Sequence, residues 1–176
     1  MYNFLPKKYY FINNLDTNII DKQNHKVAFI YRNYQNNNYQ EKNILKFRDY
    51  CRRRGNKFFL ANNIRLALKL NLDGLYIPSF NKSTKHLCYS IKKSFIIIGS
   101  AHNLKEIRNK ELQQVQAIFL SSIFKKNKNF LGINKFKNIS LLTKEKIIAL
   151  GGISHKNQKK LNLVNNFGFA GISYFE

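Results

Sequence analysis

Two glycine-containing motifs near the carboxyl terminus have the residue types of an anion-binding site. The first is ALGGIS, at Ala149–Ser154, and the second is Gly171-Ile172-Ser173. A glycine pair allows backbone N–H groups to approach a ligand without obstruction from a Cβ atom. Ser154 can also begin a helix, and the first turn of a helix favours an anion. The two motifs therefore predict a phosphate site, with a simple tight turn at the glycines as the alternative.

Other polar side chains offer less specific chemistry. Arg32 follows an apolar run, and its planar guanidinium suits phosphate oxygens, although an exposed arginine without a ligand is the alternative. His102 has the side chain of a general acid or base, but the sequence Ser-Ala-His-Asn favours capping or packing of a turn. Cys51 and Cys88 are too isolated for a disulfide framework or a metal site.

Eight short apolar runs determine where these residues would lie. Each run is apolar throughout rather than alternating, which is typical of parallel strands that are buried on both faces. The runs are Tyr9–Ile12, Val27–Tyr31, Phe58–Ala61, Gly74–Ile77, Phe95–Gly99, Ala117–Leu120, Ile147–Gly151 and Phe169–Ser173. Eight is the strand number of a TIM barrel, in which functional residues lie at the C-terminal ends of the strands.

Amphipathic stretches between the runs predict helices, with Gly55 ending the first, Asn103 capping the third and Ser154 capping the fourth. The predicted helices are Asn43–Arg54, Asn63–Leu72, Leu104–Val115 and His155–Asn165. The stretches Asn13–Lys26 and Lys125–Leu142 are too polar or too irregular to predict a helix, and no sequence follows the eighth run for another. We therefore predict a shortened (β/α)8 TIM barrel that lacks the final closing helix, as one domain over residues 1–176.

The formal net charge of +22 is the strongest feature of the composition. It suits an anionic small molecule, and it also suits nucleic acid. The lysines are scattered along the chain and no nucleic-acid motif is present, which counts against nucleic acid as a partner. The amino terminus resembles no signal peptide and no stretch has the length of a membrane span, so we predict a cytoplasmic protein without membrane attachment.

Several of these segments resemble thiamine-phosphate synthases and the related thiazole tautomerases. FFLANNIRLALKLNLDGLYIPS is similar to their third strand, the following helix and the fourth strand. IIIGSAHNLKE is similar to their Ser-x-His stretch, and AIFLSSIF, IIALGGIS and GFAGISYFE resemble strands six to eight, in order. The resemblance covers about residues 8–176.

The resemblance implies an enzyme that joins a pyrimidine pyrophosphate to a thiazole phosphate, with release of pyrophosphate and with Mg²⁺ as cofactor. Gly152, Ile172 and Ser173 would hold the thiazole phosphate. Arg32, Asn62 and Ser100 would contact the pyrophosphate, and Lys128 would supply the lysine of the loop after strand six.

The chain departs from the family pattern where the metal would bind. Asn63 occupies the position of an expected Asp, and Asn81 is the nearest residue to the second carboxylate position. The thiazole tautomerases have a His where Ser122 stands here. The sequence therefore leaves three functions open. The first is an active synthase, in which lysines 125, 126 and 128 offset the lost metal charge. The others are a family member that binds a thiazole or thiamine phosphate without turnover, and a nucleic-acid binder. The sequence also leaves open a homodimer.

Overall fold

A closed barrel of eight parallel strands forms the centre of the molecule in the computed structural model, which describes residues 5–33 and 40–176. The strands are β1 (Lys8–Ile12), β2 (Val27–Tyr31), β3 (Phe58–Ala61), β4 (Gly74–Ile77), β5 (Ile96–Ala101), β6 (Ala117–Ser121), β7 (Lys146–Leu150) and β8 (Gly168–Gly171). Each strand pairs with the next, and β8 pairs with β1 with Ala170 opposite Tyr9. The predicted TIM-barrel class and all eight predicted strands are confirmed.

Aromatic side chains fill the interior of the barrel. Phe119 of β6 packs edge-to-face against Tyr9 and Phe11 of β1, with ring centroids 5.1 and 5.4 Å apart. Tyr76 of β4 packs against the same Phe119 ring at 5.7 Å. Because rings from opposite sides of the barrel meet, the interior is a packed core, and any ligand must bind at its rim.

The helices on the outside are short. They are α1 (Thr17–Asp21), α2 (Glu41–Arg54), α3 (Ile64–Lys69), α4 (Leu104–Leu112) and α5 (Gly132–Ser140), with 3₁₀ helices at Lys85–Cys88 and Gln158–Leu163. Gly55 ends α2 in the left-handed conformation, with φ of 75°, and Asn103 caps α4 through its side chain, as predicted. No helix in the described part of the chain is long and apolar enough to cross a bilayer.

The helix predicted at His155–Asn165 is wrong. Ser154 does not cap an α-helix; its backbone N–H donates to the side chain of Asn157 at 2.9 Å, and Asn157 Nδ2 donates back to the carbonyl of Gly152 at 2.8 Å. These bonds form a turn, and only the 3₁₀ helix Gln158–Leu163 follows. Asparagine competes with helix formation because its side chain bonds to nearby backbone groups.

The last residues of the chain cover the outer face where β8 meets β1. Phe175 stacks on Tyr10 at 5.0 Å between centroids and on Phe169 at 6.1 Å. The side chain of Gln23 donates to the carbonyl of Phe175 at 3.0 Å. This aromatic segment covers apolar surface of β8 and β1.

Candidate functional site

The C-terminal ends of the strands place most of the predicted site residues in order around one rim. Arg32 follows β2, Asn62 follows β3, Ser100 lies at the end of β5, Lys128 is in the loop after β6, and Gly152 follows β7. Ile172 and Ser173 follow β8, which is paired with β7. The strand ends thus bring residues from distant parts of the sequence to one face of the barrel.

The glycine pair after β7 is required by the backbone. Gly151 and Gly152 have φ of +107° and +71°, a region that other residues rarely adopt. A Cβ atom on Gly152 would lie 2.6 Å from the backbone nitrogen of Lys125, and one on Gly151 would overlap Ser122. The tight-turn interpretation is therefore correct for the backbone, because the loop after β6 packs directly against the glycines. A phosphate at the same place stays a prediction.

The donors needed for that phosphate are backbone N–H groups. In the part of the chain that the structure describes, the N–H groups of Gly152, Ile172 and Ser173 donate to no protein acceptor. All three residues are exposed. The α-helix expected after Ser154 is absent from the described structure, so a phosphate at this place would depend on these individual donors.

Neutral amides occupy the positions after β3 and β4. Asn81 Nδ2 donates to Asn62 Oδ1 at 2.6 Å, and Asn81 Oδ1 accepts from the N–H of Ser83 at 2.8 Å. Asn62 has a left-handed backbone, with φ of +61°. Asn63 has a structural role, because its Oδ1 accepts from the N–H of Leu66 at 3.0 Å and caps α3. The structure brings the side chains of Asn62 and Asn81 together, whereas the side chain of Asn63 is not part of this pair.

A buried lysine fixes the loop after β4. Lys110, on α4, is completely buried, and its Nζ donates to the carbonyls of Pro78 and Asn81 at 2.9 and 2.8 Å. The third bond goes to Gln113 Oε1 at 2.8 Å. Burial lowers the pKa of Lys110 to about 8, partly opposed by the charge of Glu106. The free-energy cost of burying the ammonium group is reduced because each of its three N–H donors has an acceptor.

The stem of Lys110 passes directly over β5. A Cβ atom at Gly99 would lie 2.5 Å from Lys110 Cδ, so glycine is needed there for close approach rather than for its backbone conformation. The next strand residue, Ser100, is buried, and its Oγ accepts from the hydroxyl of Tyr76 at 2.9 Å. Ser100 is thus held from inside the barrel, at the base of the rim.

Arg32 is held by a ring rather than by a carboxylate. Its guanidinium carbon lies 4.5 Å from the centroid of Phe11, which is within cation–π range. Arg32 Nε is buried and has no hydrogen-bond partner among the described residues. The guanidinium is therefore oriented at the end of β2 and still has donor capacity.

An open pocket of about 400 Å³ lies between the loops after β4, β5 and β6. Its lining includes Ser79, Phe80, Lys82, His102, Lys105 and Lys128. The three lysines are exposed, and no carboxylate in the described ranges lies within 4 Å of their ammonium groups. Of the lysines that could compensate lost metal charge, Lys128 lines this pocket, whereas Lys125 and Lys126 do not.

His102 has a structural role in this pocket. Its Nδ1 lies 2.8 Å from Glu106 Oε2, and its backbone N–H donates to the same oxygen at 2.9 Å. Glu106 in turn donates its N–H to Asn103 Oδ1 at 3.0 Å. This arrangement caps α4 and confirms that His102 caps the turn. It also pairs the carboxylate of Glu106, which lines the pocket.

The residues that follow β3 and β4 offer amides rather than carboxylates to a divalent cation. Magnesium sites in proteins use one or two carboxylates beside substrate phosphates. The positions after β3 and β4 carry amides that are already hydrogen-bonded. Among the residues that the structure describes, no three His, Cys, Asp or Glu side chains come together as a metal site.

Comparison with known families identifies the relatives of this barrel. The family model of thiamine monophosphate synthase matches residues 20–175. The chain belongs to the thiamine monophosphate synthase family. The resemblance of the strand and loop motifs is thereby confirmed.

Individual members of the family are distant in sequence. Thiamine-phosphate synthases from Methanococcus maripaludis and Helicobacter pylori are 28% and 29% identical over 120 and 123 residues, which is 66% of this chain in both cases. The matched segments make up 58% and 56% of those relatives. The chain thus spans less than two thirds of the length of these curated relatives.

Solved structures share the fold. Thiamine phosphate pyrophosphorylase from Pyrococcus furiosus superimposes with a TM-score of 0.78 at 21% identity, covering 95% of this chain and 86% of the other. FabK from Thermotoga maritima has a TM-score of 0.71 at 10% identity, covering 95% and 58%. At such identities the likeness shows the barrel fold and nothing about the chemistry.

Three residues in or behind the rim have no signal of their own in the sequence that indicates their role. Lys110 and Tyr76 lie inside predicted elements, where a helical lysine suggests solvent and a strand tyrosine suggests core packing. Lys82 lies in a polar loop with no distinctive pattern. The available signal in the sequence was Gly99. A glycine inside a strand often marks a close approach by another group, and here the side chain of Lys110 crosses β5 at that point.

Proposed function

We propose that this family member acts in thiamine biosynthesis as a thiamine-phosphate synthase. It would join a pyrimidine pyrophosphate to a thiazole phosphate, producing thiamine phosphate and pyrophosphate. The observation that supports this proposal most strongly is the family match over residues 20–175, which includes seven of the eight strands and their rim. Both substrates are small phosphorylated molecules, consistent with a strongly cationic protein.

The thiazole phosphate would bind beside β7 and β8. Gly152, Ile172 and Ser173 are exposed residues, and their backbone N–H groups have no protein acceptor within the described ranges. Adjacent backbone N–H groups form concave anion sites because their dipoles converge without adding a mobile side chain. Glycine at position 152 also allows the loop after β6 to close against this side of the rim.

The pyrophosphate would leave from the other half of the rim. In the reaction a C–N bond forms to the thiazole ring nitrogen as the C–O bond to pyrophosphate breaks, so negative charge accumulates on the departing oxygens. Arg32 and Lys128 would stabilise that charge, and the polar side chains of Asn62 and Ser100 would orient the group. Preorganised cations are effective in such a role because they do not have to rearrange during the reaction.

The direct test is product formation. Purified full-length chain would be incubated with both substrates, and thiamine phosphate would be quantified by chromatography, once with EDTA and once with Mg²⁺. Thiamine phosphate in either condition supports the proposal. Its absence in both, with correctly folded protein, contradicts it.

A second function is favoured by the hydrogen-bonded amides of Asn62 and Asn81. A family member that lacks metal carboxylates would bind a thiazole or thiamine phosphate without turnover. Calorimetry would then give micromolar binding of thiazole phosphate without product formation, and Gly152→Asp would abolish it by placing a carboxylate in the anion site. A cytoplasmic location and a homodimer stay predictions under both functions.

A further inference from the structure

The pyrophosphate half of the rim has the side chains for direct binding of a diphosphate group. A diphosphate carries several negative charges, which a protein can offset with a divalent cation or with its own ammonium and guanidinium groups. Asn62, Asn63 and Asn81 are neutral, and each already takes part in a hydrogen bond of the protein. A cation bound to Asn62 Oδ1 would have to displace the N–H of Asn81 Nδ2, which donates to that oxygen at 2.6 Å.

Cationic side chains line a pocket beside the loop that carries Asn81. Lys82 follows Asn81 directly in the loop after β4, and it lines the 400 Å³ pocket together with Lys105 and Lys128. The carboxylate in the pocket lining, Glu106, is engaged by His102 at 2.8 Å. Three lysines thus contribute to the lining of the pocket, and its carboxylate is already paired.

The loop that carries Lys82 is anchored on both sides. Lys110 donates to the carbonyl of Asn81 at 2.8 Å, and Gln113 Nε2 donates to the carbonyl of Ser83 at 2.8 Å. Both anchoring side chains are completely buried. An ammonium group on an anchored backbone needs less ordering when the anion binds, so its attraction contributes more to affinity.

We propose that this pocket binds a diphosphate group directly through Lys82, Lys105 and Lys128, without a divalent cation. The inference rests on the proposed synthase function and gives its pyrophosphate side a metal-independent form. The buried Lys110 positions the loop and does not itself contact the ligand.

The experiment is calorimetric titration of the full chain with sodium pyrophosphate at fixed ionic strength, in EDTA and then in MgCl₂. We expect binding in EDTA, with no tightening in MgCl₂. Lys128→Met should weaken binding by about tenfold, as expected for loss of a charge-assisted hydrogen bond. Lys126→Met is the matched control, because Lys126 is exposed in the same loop but does not line the pocket; it should change the affinity by less than about twofold.

Three outcomes would overturn the inference: binding that requires Mg²⁺, no binding in either buffer, or equal losses in Lys128→Met and Lys126→Met. Equal losses would mean that only the net charge matters. None of these outcomes decides the proposed function, which is tested separately by thiamine phosphate formation. A chain that forms product only with Mg²⁺ would keep the function and lose the metal-independent site.

Discussion

Replacing Lys110 with methionine should loosen the loop after β4 and lower the stability of the barrel. Methionine keeps most of the aliphatic stem, which packs on Gly99, and removes the ammonium group with its three hydrogen bonds. Because Lys110 is completely buried, no water takes its place without rearrangement. The variant therefore isolates the contribution of the charged end.

The magnitude follows from what each acceptor retains. The carbonyl of Pro78 still accepts from the N–H of Asn81 at 3.1 Å, and the carbonyl of Asn81 still accepts from Gln113 Nε2 at 3.0 Å. Among the described residues only Gln113 Oε1 loses its partner, at a cost of about 1–3 kcal/mol. We expect about 2 kcal/mol of destabilisation at pH 7, or a melting temperature lower by about 4–8 °C.

The pH dependence gives the loss a specific signature. The pKa of Lys110 is about 8 in the folded protein and 10.5 at its ordinary value, so the native state binds fewer protons than the unfolded state between these limits. Unfolding free energy therefore rises with pH in that window, by about 3 kcal/mol in total. This contribution is present above pH 10.5 and is lost as the pH falls through 8. Lys110→Met lacks it, so the gap between wild type and variant should widen as the pH rises.

The assay is urea unfolding from pH 7 to pH 10.5, followed by circular dichroism, on wild type and variant. Lys137→Met is the charge-matched control, because Lys137 is exposed on α5 and should change stability by less than about 0.5 kcal/mol. Pyrophosphate affinity would be measured in parallel at pH 7. A stability loss no larger than that of the control, or a gap that stays constant with pH, would refute this account of Lys110.

Three further changes probe other parts of the barrel. Gly152→Ala should lose phosphate affinity and about 2–3 kcal/mol of stability. Gly55→Ala has a similar positive φ, but its Cβ would make only an ordinary contact of 3.7 Å with His25, so it should lose about 1 kcal/mol and no affinity in matched titrations. Phe175→Ala should cost about 3 kcal/mol in thermal unfolding by exposing the β8–β1 face, and a loss below about 1 kcal/mol would contradict its covering role. Tyr76→Phe should cost about 1 kcal/mol by removing the bond to Ser100 and should raise KM for the pyrimidine substrate; unchanged kinetics would separate Ser100 from the site.

The strands were predictable because burial on both faces gives a continuous apolar run. Ile147–Gly151, for example, could be recognised as a strand without any knowledge of its neighbours, and β7 lies at Lys146–Leu150. The helices were harder. In α5 the buried residues Phe136 and Ile139 have helical spacing, but lysines and asparagines around them obscured the pattern. At Ser154 a capping residue type was present, and the side chain of Asn157 formed a turn instead.

The places of the candidate site residues at the strand ends were predictable, but their contacts were not. Gly152 and Ser173 could be placed at the rim because the barrel fixes where strands end. The pairing of Asn62 with Asn81 could not be predicted, because it depends on the path of a loop that Lys110 anchors from a distant helix. Such long-range polar contacts have no periodic pattern in the sequence.

The most direct test of the central claim is a turnover assay with the two substrates of thiamine-phosphate synthesis. Wild-type chain would be given pyrimidine pyrophosphate and thiazole phosphate in EDTA and in Mg²⁺, and thiamine phosphate and pyrophosphate would be measured together. We predict both products in equal amounts, with formation persisting in EDTA. A folded chain that produces neither compound in either buffer would contradict the proposed synthase function.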